Sequence, residues 1–526
     1  MKSLAWCTLV PALALALSCG GASAPAAMHA AATLPGAAAS AAAGPASFRD
    51  KAPPPGALAA PVYPKPEIRD LPNGIKLVTY QMHELPVVRM TMVGFAPRTG
   101  VATVRWKLAE RITAKHSVQA LAGAWQSMGA EHGAFVGDDA AGLSAKVMAK
   151  DVEAAASLLL EEWLQPSHDA GELGRLKAEL IDGVKNERAD LKSVARNLVR
   201  VSLERYTRAD SGTEATYAAV TLSDVIEDAK LLKLDVVSQP KVAGVACPTV
   251  VLVAGDISPS SVQRQFEAVR CPQLLGGTGG GFGARRDAGV WRMSARKGAT
   301  QVHVYLAHAS APFGTDDDRA AFWMMTEILG GGFSSRVNMN LREKHAFTYG
   351  AYARYRPFAS NGLFSVGGPI KADKAGEAYE QIRAEITRMQ TEIVSDDEMR
   401  RAKDSWLRTL SARYETADDI VGAWLQDMVT RDASDEGSAF NSEAERFTRA
   451  LESVTKEQVL AMAKKYLDLS RLDLVTVGDP DSIKSEFAPF KLGEPQPYDE
   501  LGAPLNAASD KAPATAKTTK IAKPTK

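Results

Sequence analysis

In the stretch LGGGFSSRVNMNLREKHAFTYGAY, Leu329 to Tyr352, an arginine and a tyrosine stand seven positions apart, Arg342 and Tyr349. A guanidinium presents a planar fork of donors that grips a peptide carbonyl or a carboxylate, and a phenol hydroxyl donates to an oxyanion as it develops. Together they suit work on a peptide bond. Neither generates a nucleophile, so hydrolysis here needs an activated water or a nucleophilic side chain from elsewhere. The sequence contains no serine elbow, CxxC pair or other nucleophile constellation.

The elements that must position the pair follow from local patterning. The apolar segment AAFWMMTEIL predicts a helix that Gly330 to Gly332 end in a backbone-dominated turn, and Ser334 predicts the N-cap of a second helix, SRVNMNLREK. On that helix Val337, Leu341 and Lys344 share a side, so the valine and leucine pack inward while Arg342 projects elsewhere. Beyond it FTYGAYARY alternates as a strand does and places Tyr349 near the strand's start. The bland alternative is a helix-end ion pair for Arg342 and a strand aromatic for Tyr349.

The whole chain has 526 residues, 45% of them hydrophobic, enough to bury two to four ordinary domains. Its 62 Lys and Arg balance 62 Asp and Glu, which leaves no global field to draw it onto nucleic acid or an anionic membrane. One plan occurs twice. TVVLVAGDISPSSVQRQF (Thr249 to Phe266) and LDLVTVGDPDSIKSEF (Leu472 to Phe487) each read as a buried strand, a Gly-Asp turn and a helix opening. VVRMTMVGFAP (Val87 to Pro97) and QVHVYLAHASAP (Gln301 to Pro312) read as alternating strands near the front of each half. The expected architecture is α+β, with two homologous halves at 66–285 and 286–490, each a mixed sheet covered by helices. The glycine-rich LLGGTGGGFGARR (Leu274 to Arg286) joins them; it lacks the Gly-Lys-Ser/Thr ending of a phosphate loop and is read as a linker.

The ends carry an address rather than a core. Lys2 precedes the apolar run LVPALALAL, too short to span a bilayer but suited to a signal peptide over residues 1–19. ALSC resembles a bacterial lipoprotein box, with Ala16 and Leu17 departing from its commonest residues. That resemblance implies lipidation of Cys19 and a chain exported to the bacterial cell envelope, periplasm-facing and held to the membrane only by its N-terminal lipid. Ordinary secretion with cleavage nearby is the alternative. Residues 20–65, rich in Ala, Pro, Gly and Ser, read as a disordered tether, and the Lys, Ala and Thr-rich 491–526 as a disordered tail.

The stretch quoted first, with the two-half plan and the front phrase LPNGIKLVTYQMHELPVV (Leu71 to Val88), resembles the insulinase and pitrilysin family of zinc metallopeptidases, which includes the mitochondrial processing peptidase. The resemblance covers about Glu67 to Phe490. It implies the LuxS/MPP-like metallohydrolase fold and puts Arg342 and Tyr349 on the family's arginine-tyrosine pair. At Ala346, where the family often has glycine, a left-handed backbone would cost the alanine about 1 kcal/mol. The family's metal motif, H-x-x-E-H, places two imidazoles on one helical face for zinc and a carboxylate for the bound water. In this chain the matching helix falls within TVRWKLAERITAKHS (Thr103 to Ser117). Aligning its apolar positions puts Trp106 on the first histidine, Ala109 on the glutamate and Glu110 on the second histidine. The motif is lost. Glu110, with Glu179 or Glu187 near the expected distant ligand, would favour hard ions weakly, and no cofactor is expected on this chain. His303 and His308, five apart on a strand, face opposite sides; His116 and His132 lack a helical partner; all four are expected to be structural or superficial.

The resemblance therefore implies a division of labour. Arg342 and Tyr349 of this chain would clamp an extended peptide and polarise its scissile carbonyl, while a homologous partner bearing H-x-x-E-H supplies the zinc. The alternative is a peptidase-like scaffold or peptide-binding protein with no catalytic role. Least favoured is a lone active metallopeptidase.

Cys247 precedes the strand TVVLV and Cys271 follows the helix SSVQRQFEAVR. In a strand-turn-helix unit the helix runs back along the strand, so these two positions meet at one end and favour a disulfide in an oxidising compartment. Such a bridge contributes about 3 kcal/mol if unstrained. Thiol titration of the denatured, unreduced chain is expected to find Cys247 and Cys271 unreactive; reaction of both before reduction would exclude the bridge.

Overall fold

The computed structural model of the chain describes residues 63–94, 99–138, 140–203, 212–231, 249–267, 288–310, 313, 315–358, 362–430 and 443–505. Cys19, Cys247, Cys271, the signal segment and the glycine-rich linker lie outside them.

Two six-stranded sheets form the framework. The first has the order β1-β2-β6-β3-β5-β4, from β1 (Glu67–Asp70), β2 (Lys76–Gln81), β3 (Val87–Gly94), β4 (Glu131–Val136), β5 (Ala141–Met148) and β6 (Thr249–Gly255). The second has the order β12-β7-β11-β8-β10-β9, from β7 (Trp291–Ala295), β8 (Gln301–Ser310), β9 (Tyr352–Pro357), β10 (Gly362–Lys371), β11 (Asp473–Gly478) and β12 (Gln496–Pro497). Five strands correspond one to one. In each sheet a parallel pair, β2 with β6 or β7 with β11, is followed by three antiparallel pairings in the same sequence. The repeated strand-and-turn phrases occupy the equivalent strands β6 and β11, and the front strands are β3 and β8. The fold is α+β, two mixed sheets covered by helices.

The expected alternation of β3 and β8 gives way to near-continuous burial: in β3 only Val87 and Arg89 are partly exposed, and β8 is buried from Val302 on except for Tyr305. A strand shows polar alternation only when one face meets water, and here both faces are covered. On one face of the first sheet Leu77, Met90, Met92, Val251 and Val253 pack with Leu159 and Trp163 of the helix Val152–Leu164 and with Phe266. The opposite face, Val78, Val93, Leu252 and Ala254, is closed by Ile420, Val421 and Trp424 of the helix Ala417–Thr430, which comes from the second half of the chain. The second sheet receives the reverse. Val194, Ala195 and Leu198 of the helix Leu191–Val201 cover Ala307, Ala309, Val475 and Val477. Each half thus closes the other's sheet.

A strap ties the halves again. Residues 491–505, expected within an unstructured tail, are instead folded against the body. β12 adds to β7, Leu501 is fully buried beside Val104 and Leu108, and Arg188 reaches Glu214 and Glu500, both at 2.8 Å. The apolar Tyr498 and Leu501, set singly among polar residues, bury enough surface to hold this segment without a periodic pattern. No helix of the described residues is long and apolar enough to cross a membrane.

Trp424 is fully buried on the exchanged helix. Trp424→Ala is expected to cost about 3–5 kcal/mol and, in urea, to lower one shared transition reported alike by probes in the two halves. Two separated transitions in the unsubstituted chain would show that the halves do not depend on each other.

Candidate functional site

The helix Gly100–Ala109 is capped by Thr99, whose hydroxyl accepts from the Ala102 amide at 3.0 Å. The positions that the sequence resemblance sets against the metal ligands are filled by packing. Trp106 is 2% exposed and lies 4.6 Å, ring to ring, from Trp163, under the Arg105 guanidinium at 4.0 Å. Arg105 is held by Asp228 at 2.6 Å, and burial pulls its guanidinium down to about 10 in spite of that partner. Ala109 is buried as well. An indole and a methyl group offer no lone pair to a cation.

Glu110 has a structural task. Its carboxylate accepts from the backbone N–H of Ala134 and from Lys107 at 3.2 Å, while Lys107 also donates to the carbonyl of Ala134 at 2.7 Å. Ala134 lies on β4, the edge strand of the first sheet. Both of its backbone groups are therefore taken by a helical lysine-glutamate pair, which blunts that edge against a further strand. The other carboxylates considered as ligands are engaged too. Glu179 bonds Arg111 at 3.1 Å, which holds its carboxyl below the ordinary range. Glu187 accepts from Asn197 at 3.1 Å. Among the described residues no three His, Cys, Asp or Glu side chains stand together as a metal site.

The four histidines weighed as ligands make contacts within the fold. His116 meets Glu161 at 2.7 Å and His132 meets Glu162 at 2.8 Å, two carboxylates adjacent on the helix Val152–Leu164. Burial pushes the Glu162 carboxyl up, against the opposing bonds from His132 and Trp125. Burial also acts to raise Glu161, but the bonds from His116 and Thr113 outweigh it and leave that carboxyl below its ordinary value. His303 and His308 are both buried on β8 and face opposite sides. His303 lies near Tyr305, with burial pulling its imidazole down to about 4; His308 stands against Phe364 and Tyr466. The His-Glu pairs escaped sequence reasoning because they join a loop or an edge strand to a helix, so no helical spacing announces them.

The second half keeps its site open. The helix Asp316–Thr326 runs into a wide turn, Glu327–Gly331. A Cβ on Gly330 would fall 2.1 Å from the amide nitrogen of Ala353, so only glycine fits there, and one on Gly331 would fall 1.9 Å from the Glu327 carboxylate and displace that side chain. The following helix begins one residue later than expected: Ser335, not Ser334, is at its N-cap, and the Ser335 hydroxyl donates to the Gly332 carbonyl at 2.5 Å instead of capping. Val337 and Leu341 are fully buried, as their shared side predicts. Arg342 lies over the exposed ring of Phe333, its guanidinium carbon 4.4 Å from the centroid, and only Glu343, at 3.4 Å, forms an ion pair with it among the described residues.

Tyr349 precedes β9 by three residues and sits on a turn rather than in the strand. The Thr348 hydroxyl donates to the Pro369 carbonyl at 2.5 Å and accepts from the Gly350 amide at 3.0 Å. Asn338, completely buried, donates to the Phe333 carbonyl at 2.7 Å and accepts from the Ala351 amide at 3.3 Å. One amide therefore fixes both the turn beneath Arg342 and the chain just past Tyr349. With its neighbours pinned, the Tyr349 side chain is 91% exposed. Asn338 and Thr348 were not singled out from the sequence; a polar asparagine beside the buried Val337 was the available signal. Phe333, Met339 and Tyr349 are all exposed on this one segment, an aromatic, Met and Arg composition typical of contact surfaces.

Residues 249–405 match the family described as the peptidase M16 inactive domain. A Streptomyces coelicolor protein named an uncharacterized zinc protease is 32% identical over 22% of this chain and 25% of its own length. A Rickettsia felis protein of the same description is 35% identical over 15% of this chain and 19% of its own. This chain thus spans about a quarter or less of these two relatives. The zinc protease YmxG of Bacillus subtilis, also named uncharacterized, is 19% identical over 67% of this chain and 81% of its own length. Among solved structures, the peptidase M16 inactive domain from Pseudomonas fluorescens superposes with a TM-score of 0.65 at 21% identity, covering 79% of this chain and 98% of that one. A protease from Helicobacter pylori gives 0.64 at 16% identity over 79% and 100%.

Ala346, between Arg342 and Tyr349, has φ of 53°, so it takes the left-handed backbone whose cost to an alanine was considered from the sequence. Ala346→Gly removes a Cβ clash of about 1 kcal/mol and gives part of it back as unfolded-chain entropy. The variant is expected to be slightly more stable in chemical denaturation, by up to about 1 kcal/mol; a clear destabilisation would contradict the strain.

Proposed function

Because the chain is a member of the insulinase and pitrilysin family, and keeps that family's arginine-tyrosine pair without its zinc ligands, we propose that it is the noncatalytic subunit of a two-chain zinc metallopeptidase. A homologous partner bearing H-x-x-E-H completes the site. The observation that carries this reading is the contrast between the two halves: the metal helix is packed shut around Trp106, while Tyr349 stands 91% exposed on a turn pinned by Thr348 and Asn338.

In this reading the zinc, held by the partner, supplies an activated water. The residues of this chain act on the substrate. Arg342, supported by Phe333, holds a peptide carbonyl or carboxylate with its fork of donors. The Tyr349 hydroxyl donates to the oxygen of the scissile carbonyl, more strongly as charge collects on it. Because the β4 edge is clipped at Ala134, an extended peptide is held at the second half or by the partner and not by strand addition at that residue of β4. Export and lipidation through Cys19 would place the complex at the bacterial cell envelope, with the Ala, Pro, Gly and Ser-rich sequence 20–65 as its tether.

A second reading, a peptidase-like scaffold or peptide-binding subunit with no part in chemistry, is favoured by the match to an inactive domain and by the ordinary contacts Arg342 makes with Phe333 and Glu343. Reconstitution with a homologous H-x-x-E-H chain separates the two. Tyr349→Phe is expected to lower peptide cleavage by about 10²-fold to 10³-fold, while the thermal transition and copurification stay unchanged, since the lost hydroxyl belongs to an exposed ring. Full cleavage by the mutant pair would leave only the scaffold reading.

A further inference from the structure

Beside the Arg342 segment a cleft of about 190 Å³ opens between the turn 332–335 and the helix Asp396–Arg413, lined by Glu327, Phe333, Ser334, Glu398, Arg401 and Ser405 among others. Most of its charges are answered within the chain. Glu398 is gripped by Arg336 at 2.6 Å and by the Ser395 amide at 2.8 Å, which outweigh its burial and hold its carboxyl down to about 2. Arg401 pairs with Asp397. Glu327 differs. It accepts one neutral hydrogen bond, from the Ser405 hydroxyl at 2.8 Å, and no ion pair reaches it among the described residues. Burial pushes its carboxyl up, opposed by Ser405 and the more distant Arg354.

The room for this carboxylate is built into the backbone. A Cβ at Gly331 would overlap Glu327 Oε2, and one at Gly332 would stand 3.5 Å from Oε1. The glycine turn therefore closes around an acid that, among the described residues, forms no ion pair. A partly buried carboxylate with a single neutral partner is costly unless a positive group arrives to meet it.

We infer that this cleft receives the cationic group of a peptide, an ammonium or guanidinium on a side chain or at the amino terminus, with the Glu327 carboxylate as its partner. The inference rests on the reading above that the chain holds peptides beside Arg342. Phe333 links the two places, since it both lines the cleft and carries the Arg342 guanidinium. Ser405 orients the carboxylate, and the aromatic wall covers the methylene stem of a lysine or arginine.

The test uses the full chain and four short peptides labelled with fluorescein at the C-terminus, read by anisotropy: lysine or norleucine at the centre, each with a free or an acetylated amino terminus. At least one charged form is expected to bind about tenfold more tightly than the acetylated norleucine peptide; which form does so identifies the source of the cation. Glu327→Gln is expected to erase that preference and leave the uncharged peptide's affinity unchanged, whereas Arg342→Ala weakens all four. Ser405→Ala, which keeps the charge, is expected to retain a reduced preference, and unchanged thermal melting of both cleft variants verifies their fold. Equal binding of all four peptides, or a preference that survives Glu327→Gln, would overturn this inference alone. Absence of binding by every peptide would overturn it together with the peptide-clamp reading.

Discussion

Neither sheet can be dry on both faces without a helix borrowed from the other half. The helix Leu191–Val201 seals the second sheet and Ala417–Thr430 seals the first. Apolar burial is the dominant favourable term in such a fold, at roughly 25 cal/mol per Å², and here the exchanged helices supply it on faces that would otherwise stay wet. The joint between halves is correspondingly tight. The fully buried Arg292 on β7 pairs with Asp473 at 2.5 Å and donates to Ser202 from the first half at 3.3 Å. A buried pair of this kind adds little net stability against an apolar substitute, yet losing one partner leaves an uncompensated charge, so the register of the halves is strongly specified there.

On that rigid base one strand plan has led to two outcomes. In the first half the side chains obey the rules of a core: Trp106 against Trp163, alanine beneath, and the lysine-glutamate pair spent on the backbone of Ala134. In the second half the rules are broken in several places. Ala346 is left-handed, Tyr349 is exposed, Gly330 and Gly331 lie under close contacts, and Glu327 forms no ion pair among the described residues. Departures of this sort persist where surrounding contacts over-determine the backbone, and they concentrate at sites that act on something else. Asn338 and Thr348 supply that over-determination here.

Much of this was legible in the sequence because it depends on short-range patterns. The paired strand-turn phrases located β6 and β11, the shared side of Val337 and Leu341 gave their burial, and the departure from glycine at Ala346 drew attention to a residue that is left-handed. The loss of H-x-x-E-H needed only the identity of Trp106 and Ala109. What stayed hidden depends on contacts distant in the chain. Nothing local in the helix Ala417–Thr430 says that Trp424 will land on another half's sheet, and without that helix β3, like β8 without Leu191–Val201, reads as a strand with one wet face. The strap at 491–505 was mistaken for tail because two apolar residues make no period. Tyr349 was placed in a strand because alternation continues through Thr348, whose side chain turns the backbone before pairing can begin.

The helix exchange also sets an order of events on the ribosome. Strand β6 completes the first sheet at Gly255, yet the helix that seals its outer face begins at Ala417 and the strap that braces Val104 and Leu108 ends near residue 505. Until those late residues emerge, the nascent chain carries a finished but uncovered apolar wall, the kind of surface that invites wrong contacts. Folding of the N-terminal part is thus held open by the grammar of the fold, and the chain is under pressure either to be shielded during synthesis or to stay largely unfolded until its last segments arrive.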